Sequence, residues 1–401
     1  MAKLILFDEQ RTRLRLLPFT FTRPIADIRL GILPLREKWE RRLEIDGSGS
    51  LTAPHLQDAF PADAGDDNLL VNAALLPDED NVHAISDLQP GQSLTNGEVM
   101  MAARLDEAKV AQWNEQGTFE QTETLQYHQE ITLIGNSWDL FKLNGREIEH
   151  DFHLVTAGRK SENLNDNNRI IGSESELFIE PGAVINGATI NTRNSPVYIG
   201  KNTEIMEGVV IRGPLAMCES SVLKMSAKIY GPTTLGPHCK VGGEVNNSIF
   251  FGYSNKAHDG FLGNSVIGEW CNLGADTNNS NLKNNYDHVR VWDYEREGFT
   301  NTGETFCGLF MGDHSKCGIN TMFNTGTVVG VSANVFGGGF PRNFIPSYSW
   351  GGAQGFAEYK LEKALDVAER MMNRRELSLN TAERKVLEAV FEQTARYRNF
   401  K

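Results

Sequence analysis

Residues 199–241 read IGKNTEIMEGVVIRGPLAMCESSVLKMSAKIYGPTTLGPHCKV. Ile199, Ile205, Ile211, Met217, Leu223, Ile229, Leu235 and Val241 recur every sixth residue without a miss. An amphipathic helix returns its apolar stripe every three to four residues, and a half-buried strand alternates every second one. A period of six fits neither. It fits short flat faces joined by turns, with one inward apolar residue per face, and Gly follows that residue at Ile199, Leu235 and Val241. This is the hexapeptide pattern of a parallel β-helix, in which three faces make one triangular coil. A single coil cannot bury its own inner side, so stability grows as coils stack.

Outward from this stretch the pattern continues. Ile179 and Ile185 place its start before residue 199. After a slip of two residues a second register is expected at Ile249, Asn255, Phe261, Ile267 and Leu273, which turns Phe261 inward. A third follows at Met311, Cys317, Phe323, Val329 and Val335. Residues 274–310 break the register and are rich in Asn, with Trp292 and Tyr294 inside. Long ordered excursions of this kind are commonly functional.

The flanks have other periods. Leu4–Phe7 reads as a buried strand, residues 35–43 as a helix with Trp39 inside, 105–116 as a further helix and 131–134 as a short strand, which together predict an α/β layer domain. The polar run 159–168 predicts its end, giving domains at 1–165, 166–352 and 353–401. The last is a helical tail. Phe356, Tyr359, Lys363, Val367 and Met371 are expected on one helical face, and Asn380 or Thr381 is expected to cap a second helix that buries Val386, Leu387, Val390 and Phe391.

Composition narrows the partners. The 401 residues carry a net charge of −13, and no Lys/Arg cluster suits a phosphate backbone, so nucleic acid is not expected as a partner. No run approaches the roughly 20 apolar residues of a membrane span. The opening MAKLILFD lacks the apolar core of a signal peptide. Five cysteines (218, 239, 271, 307 and 317) without a C-x-x-C pair fit a reducing cytoplasm. Cys307, His314 and Cys317 match no common zinc spacing and read as core thiols.

Chemistry concentrates in residues 256–283. His258 lies near a coil corner, where a side chain can leave the coil and face a neighbouring subunit. Its imidazole suits general-base catalysis, and a His that merely caps a turn is the plainer account of the position alone. The run His258, Phe261, Val266-Ile-Gly-Glu-Trp-Cys-Asn-Leu-Gly-Ala-Asp-Thr277 and Asn281 resembles the acetyltransferase half of the GlmU-like family. That family joins a uridyltransferase for N-acetylglucosamine 1-phosphate to a glucosamine-1-phosphate acetyltransferase. Archaeal sugar-1-phosphate nucleotidylyltransferases with the same β-helix are similar too. Over the full length the chain resembles a variant bacterial group of the family, through Leu17-Pro-Phe-Thr-Phe-Thr-Arg-Pro24 and Gly312-Asp-His-Ser-Lys316.

The resemblance implies a left-handed coil, a cytoplasmic homotrimer and acetyl-CoA as acyl donor. It implies His258 as general base, Asn281 at the sugar phosphate or acyl group, and the backbone at Gly274 and Ala275 against the thioester end of CoA. Arg290 falls where archaeal relatives place a lysine and is the first candidate for the substrate phosphate, with Lys283 next; Lys256 joins the substrate-binding candidates. Arg212 resembles a family phosphate Arg, and an exposed corner Arg accounts for it equally well. The family Tyr is here Phe261, and Asp276 replaces a Gly.

The N-terminal segment echoes the nucleotidyltransferase half of the family without the glycines of its G-x-G-T-R loop; residues 8–14 read DEQRTRL instead. Arg13, Arg23 and Lys38 are the expected contacts for a triphosphate (UTP or dTTP), and Asp27 and Asp151, with Asn144, the expected ligands of Mg2+. The leading expectation is therefore a bifunctional enzyme making a nucleotide sugar such as UDP-N-acetylglucosamine. The alternatives are a single-activity enzyme with one degenerate domain and a non-catalytic β-helix scaffold. A zinc hydratase on the same coil ranks last, because His238, His258, His288 and His314 never fall within five residues of one another.

Overall fold

The computed structural model describes residues 2–116, 123–193 and 195–400, without the side chains of 114–116. These divide into two compact units.

The first unit comprises residues 1–16, 22–28 and 33–136. Its strands are β1 (Lys3–Phe7), β2 (Ser48–Leu51), β3 (Asn68–Asn72), β4 (Gln92–Asn96), β5 (Val99–Leu105) and β6 (Glu123–Gln126). They form one sheet in the order β2-β1-β3-β5-β4-β6, with β2, β1 and β3 parallel and β5 antiparallel to β3. The helices are α1 (Gln10–Arg15), α2 (Leu35–Leu43), α3 (Glu79–Ser86) and α4 (Glu107–Gln116). The expected buried strand and both expected helices are present, and Trp39 is buried with its indole N–H donated to the Leu75 carbonyl. The strand expected at 131–134 is reduced to a single bridge between Leu75 and Leu133.

The second unit comprises residues 17–21, 29–32 and 137–401. Its body is a left-handed parallel β-helix of about 10 turns, with three sheets of six, nine and ten strands. Two-residue and three-residue strands pair one coil to the next, as in Ile211 with Ile229 or Met217 with Leu235. All eight residues of the first sixfold register are buried in one core, and so are the five of the third.

The second register is corrected. The residues that stack inward are Phe250, Lys256, Leu262, Ile267 and Leu273, because Leu235 pairs with Phe250, Val241 with Lys256 and Val245 with Leu262. Phe261 therefore faces outward, half-buried. Two short steps, from Val241 to Val245 and from Val245 to Phe250, put the register one residue beyond the expected one, and an inward lysine is a choice that apolar patterning cannot make.

Helix α5 (Asp139–Thr156) belongs to this second unit. Gly145 permits the approach, since a Cβ there would sit 2.9 Å from the Pro232 ring. At the other end, the strand Gly355–Glu358 precedes α6 (Leu361–Asn373) and α7 (Thr381–Gln393). Phe356 lies in that strand, and α6 buries Ala364, Leu365, Ala368 and Met372 instead of the expected face. Asn380 caps α7 in a capping box with Glu383.

Candidate functional site

The second unit carries the densest constellation. His258 stands exposed at the corner that precedes the strand Phe261–Gly263. The next coil repeats this geometry 17 residues on: the Asp276 amide donates to the Asp259 carbonyl and the Phe261 amide to the Asn278 side chain. This offset sets Ala275 one rung beyond His258 and Asn281 one rung beyond Asn264. Rungs of a sheet lie roughly 4.8 Å apart.

At the far corner the Asn281 amide nitrogen donates to the Asn264 side-chain oxygen at 2.8 Å. Gly263 makes room there. A Cβ on it would lie 2.6 Å from Phe261 Cζ and 2.7 Å from Asn281 Nδ2, so the Phe261 ring and the Asn281 amide converge on one point of the outer face. Phe261, Asn264 and Asn281 are thus one cluster, with His258 at the opposite corner of the same face.

Lys256 is nearly inaccessible, 1% exposed, in the inward column between Val241 and Leu273. Its Nζ donates to the His258 carbonyl at 2.6 Å. Burial pulls its ammonium down to about 8, against the attraction of Asp259 and Asp276. It cannot touch a bound substrate from inside the coil; it fixes the corner that carries His258. Gly274 likewise has a packing reason, since a Cβ there would come within 2.5 Å of Gly318 on the next coil.

The excursion folds as a hairpin of Arg290–Asp293 against Gly298–Asn301. Trp292 stacks on Phe344 at 4.1 Å, and Tyr294 meets Phe21, Phe344 and Tyr397 edge-on. Beside it opens a cleft of about 560 Å³ lined by Lys283, Arg290, Trp292, Phe299, Thr325, Arg342, Asn343 and Phe344. Lys283 and Arg290 are therefore brought together, and Arg342, which sequence reasoning missed, joins them. Arg212 lies on the outer face of the coil three rungs before Gly263.

In the first unit, Asp8 ends β1 where β2 and β3 flank it on either side. The carboxyl ends of parallel strands at such a branching point are where α/β sheets hold ligands. Asp8 accepts from the Ile25 amide at 2.9 Å and the Thr52 hydroxyl at 2.6 Å. Burial pushes its carboxyl up to about 6, although both hydrogen bonds and the Arg13 guanidinium pull it down. Sequence reading passed over Asp8; its place at the end of an apolar strand was the available signal. The amides of Arg11 and Thr12, where the family's glycine loop would meet phosphates, are held by the Glu9 carboxylate at 3.0 and 2.7 Å.

Several expected contacts have other partners. Lys38 is 1% exposed and Arg23 is 6% exposed. Both oxygens of Asp27 take hydrogen bonds from Arg36, at 2.8 and 2.9 Å. Asp151 accepts from the Ile32 amide, and Asn144 from the Gly31 amide and the Thr234 hydroxyl. Among the described residues no group of three or more His, Cys, Asp and Glu is placed to hold a metal. No helix among them is long and apolar enough to cross a membrane.

Residues 4–160 match the family model described as sugar nucleotidyl transferase. The "Bifunctional protein GlmU" of Synechococcus elongatus is 22% identical over 258 residues, covering 58% of this chain and 52% of that protein. The bifunctional sugar-1-phosphate nucleotidylyltransferase/acetyltransferase of Sulfurisphaera tokodaii is 25% identical over 207 residues, 51% of this chain and 44% of its own. The GlmU of Trichodesmium erythraeum is 27% identical over 143 residues, 35% of this chain and 26% of its own. The chain thus spans between a quarter and about half of the length of these relatives. Among solved structures, Arabidopsis UDP-N-acetylglucosamine acyltransferase aligns over 59% of this chain and 96% of its own, at 12% identity and a TM-score of 0.27. A sugar nucleotidyl transferase segment is thus followed by a parallel β-helix, and over part of its length the chain is similar to GlmU-type bifunctional proteins.

Proposed function

We propose that this chain is a bifunctional sugar-phosphate transferase. Its coil would transfer an acetyl group from acetyl-CoA to the amine of glucosamine 1-phosphate, and its N-terminal unit would couple a sugar 1-phosphate to a nucleotide. The carrying observation is the outward cluster of Phe261, Asn264 and Asn281 on the face that His258 opens. In the acyl step the substrate nitrogen attacks the thioester carbonyl, the C–N bond forms, the C–S bond breaks and CoA leaves as the thiol. His258 takes the amine proton. The backbone at Ala275 meets the acyl end of CoA, Asn281 orients the acceptor, and Arg290 and Lys283 hold its phosphate; Arg grips a phosphate bidentately.

A second copy of the chain fits this reading. His258 and Asn281 stand at opposite corners of one face, six residues apart along the strand direction, a span of up to roughly 20 Å. A site shared between His258 of one copy and Asn281 of another would bring the two groups to one acetyl group. The corner column of His258 also carries Met225 and Ile319, 67% and 69% exposed. Such apolar side chains suit burial against a neighbour, as in a homotrimer. Light scattering on the purified chain tests this: a strict monomer with full acyl-transfer activity would remove the argument.

In the nucleotidyl step a phosphate oxygen of the sugar 1-phosphate attacks the α-phosphorus of UTP or dTTP, and pyrophosphate leaves. Asp8 follows the end of β1, and Arg13 on α1 acts electrostatically on it, where the triphosphate would enter. Mg2+ is commonly held by one or two carboxylates together with the substrate's phosphates; Asp8 would serve as one by exchanging its bonds from the Ile25 amide and the Thr52 hydroxyl. A second reading, acyl transfer alone, is favoured by one observation: Glu9 occupies the α1 amides that would otherwise face phosphate.

Free thiol released from acetyl-CoA with glucosamine 1-phosphate, in the whole chain and in His258→Ala, tests the acyl step. Turnover that falls about 10²–10⁴-fold in the variant supports His258 as base. Absence of thiol release with amino-sugar and neutral-sugar phosphates alike would sink the acyl reading. Pyrophosphate release with a panel of nucleoside triphosphates separates the bifunctional reading from the single-activity one.

A further inference from the structure

We propose that the cleft beside the 290–301 hairpin holds a nucleoside diphosphate, with its phosphates on Lys283, Arg290 and Arg342 and its base against Phe299 and Trp292. This rests on the reading of the coil as a transferase working beside Asn281.

Charge is the first observation. Three cations line the cleft and no carboxylate does, in a chain whose net charge is −13. Each cation is tethered by a neutral group. Lys283 Nζ donates to the His288 carbonyl at 2.8 Å, Arg290 donates to the Phe299 carbonyl at 2.8 Å, and the Arg342 guanidinium lies over the rings of Phe356 and Phe400 at 5.2 and 5.4 Å. Three like charges converging without a counter-charge repel one another, and a polyanion relieves that repulsion. Arg342 adds to the cost, because burial lowers the affinity of its guanidinium for the proton.

The wall is the second. Trp292 is fixed by parallel stacking on Phe344, 8° from coplanar, and Phe299 meets it edge-on at 5.6 Å while remaining 41% exposed. An aromatic surface held in place and open to solvent suits a planar base. A sugar 1-phosphate held by Lys283 and Arg290 would leave Arg342 and this wall without a ligand group, whereas a second phosphate and a planar base engage them. The volume of about 560 Å³ lies within the range of small-ligand sites.

Position is the third. Asn279 pairs with Phe323, so Thr325 in the cleft lies one rung beyond Asn281. A nucleotide in the cleft would therefore extend from the corner where Asn281 meets Phe261. Two reactants could supply it: an acyl acceptor that is already nucleotide-linked, or the phosphoadenosine diphosphate end of CoA.

Photolabelling of the whole chain with 5-azido-UDP and 2-azido-ADP, followed by peptide mapping, tests the proposal. Label is expected on peptides spanning 290–301 or 340–344. It should fall at least about tenfold in Arg290→Ala and in Arg342→Ala, and about 5–150-fold in Phe299→Ala, the fold-change equivalent of one stacked base. Protection by UDP and not by 3′,5′-ADP marks a nucleotide-linked acceptor; the reverse marks CoA. Label confined to residues 4–160, hairpin label indifferent to the arginine variants, or protection by inorganic phosphate as effective as by UDP would each overturn the proposal. Thiol release from acetyl-CoA is scored separately. Hairpin labelling without thiol release with any acceptor would overturn the transferase reading and leave the nucleotide site standing.

Discussion

The Nζ of Lys256 reaches the carbonyl oxygen of His258 from inside the coil, at 2.6 Å, in a column otherwise filled by side chains such as Val241 and Leu273. A buried ammonium with a single neutral acceptor is costly, and replacing buried ionic groups with apolar ones of similar volume often stabilises by about 1–4 kcal/mol. Lys256→Met is therefore expected to raise stability at pH 7 by about 1–3 kcal/mol. The sign with pH follows from the lowered value near 8. Between pH 8 and the unfolded lysine value the unfolded chain binds the extra proton, so wild-type stability rises with pH. The advantage of the variant should shrink across that window in thermal melts at stepped pH. Acyl transfer should fall in the same variant, because the corner bearing His258 loses its internal tie; a more stable and fully active variant would deny Lys256 that positioning role.

Asp8 offers a second sign-determined test. Its carboxyl is raised to about 6, so folding favours the protonated form. That contribution is complete below the unfolded aspartate value and lost as pH rises through 6. Asp8→Asn, whose Oδ1 still accepts from the Ile25 amide and whose Nδ2 can donate to the Thr52 hydroxyl oxygen, should melt a few degrees above wild type at pH 7–8 and show no advantage near pH 4. Pyrophosphate release should drop sharply in the same variant if the N-terminal unit transfers nucleotides.

Gly263→Ala places a methyl group 2.6 Å from Phe261 and 2.7 Å from the Asn281 amide. One of the two must move. Misplacement of a positioning group by about 1 Å can cost up to roughly 10²-fold in rate. A fall of tenfold or more in kcat/KM for acyl transfer is expected, with little change in melting temperature. Unaltered kinetics would mean that the cluster does not position substrate.

Asn144 separates packing from metal binding. Its side chain satisfies the Gly31 amide, the Thr234 hydroxyl and the Pro232 carbonyl. Asn144→Leu should destabilise the chain by about 2–4 kcal/mol through the buried groups left unpaired. The Mg2+ concentration giving half-maximal pyrophosphate release should not move. A shift there with unchanged stability would restore Asn144 as a metal ligand.

The coil was legible because a six-residue period survives any side-chain detail. Residues 199–241 needed no three-dimensional knowledge, and the same holds for the buried Trp39 helix and the Asn380 cap. The second register failed where two steps shorten between Val241 and Phe250, since a one-residue shift exchanges inside for outside. Phe261 and Lys256 changed places for this reason alone. The partners of Asn144 and Asp151 at the Gly31 and Ile32 amides are not legible in sequence, because they lie more than a hundred residues away.

The sequence by itself determined the repeat, the α/β segment ahead of it, the helical tail, and His258, Asn281, Lys283 and Arg290 as the residues worth locating. Local periodicity encodes the elements and residue chemistry marks His258, while Asn281, Lys283 and Arg290 came from the family resemblance; all are read along the chain. Tertiary structure alone decided that Arg342 joins Lys283 and Arg290, that Phe261 faces the Asn281 amide, and that Lys256 lies inside the coil beneath His258. Each of these depends on which residue stacks upon which in the next coil, and that is set by turn lengths and packing summed over many residues.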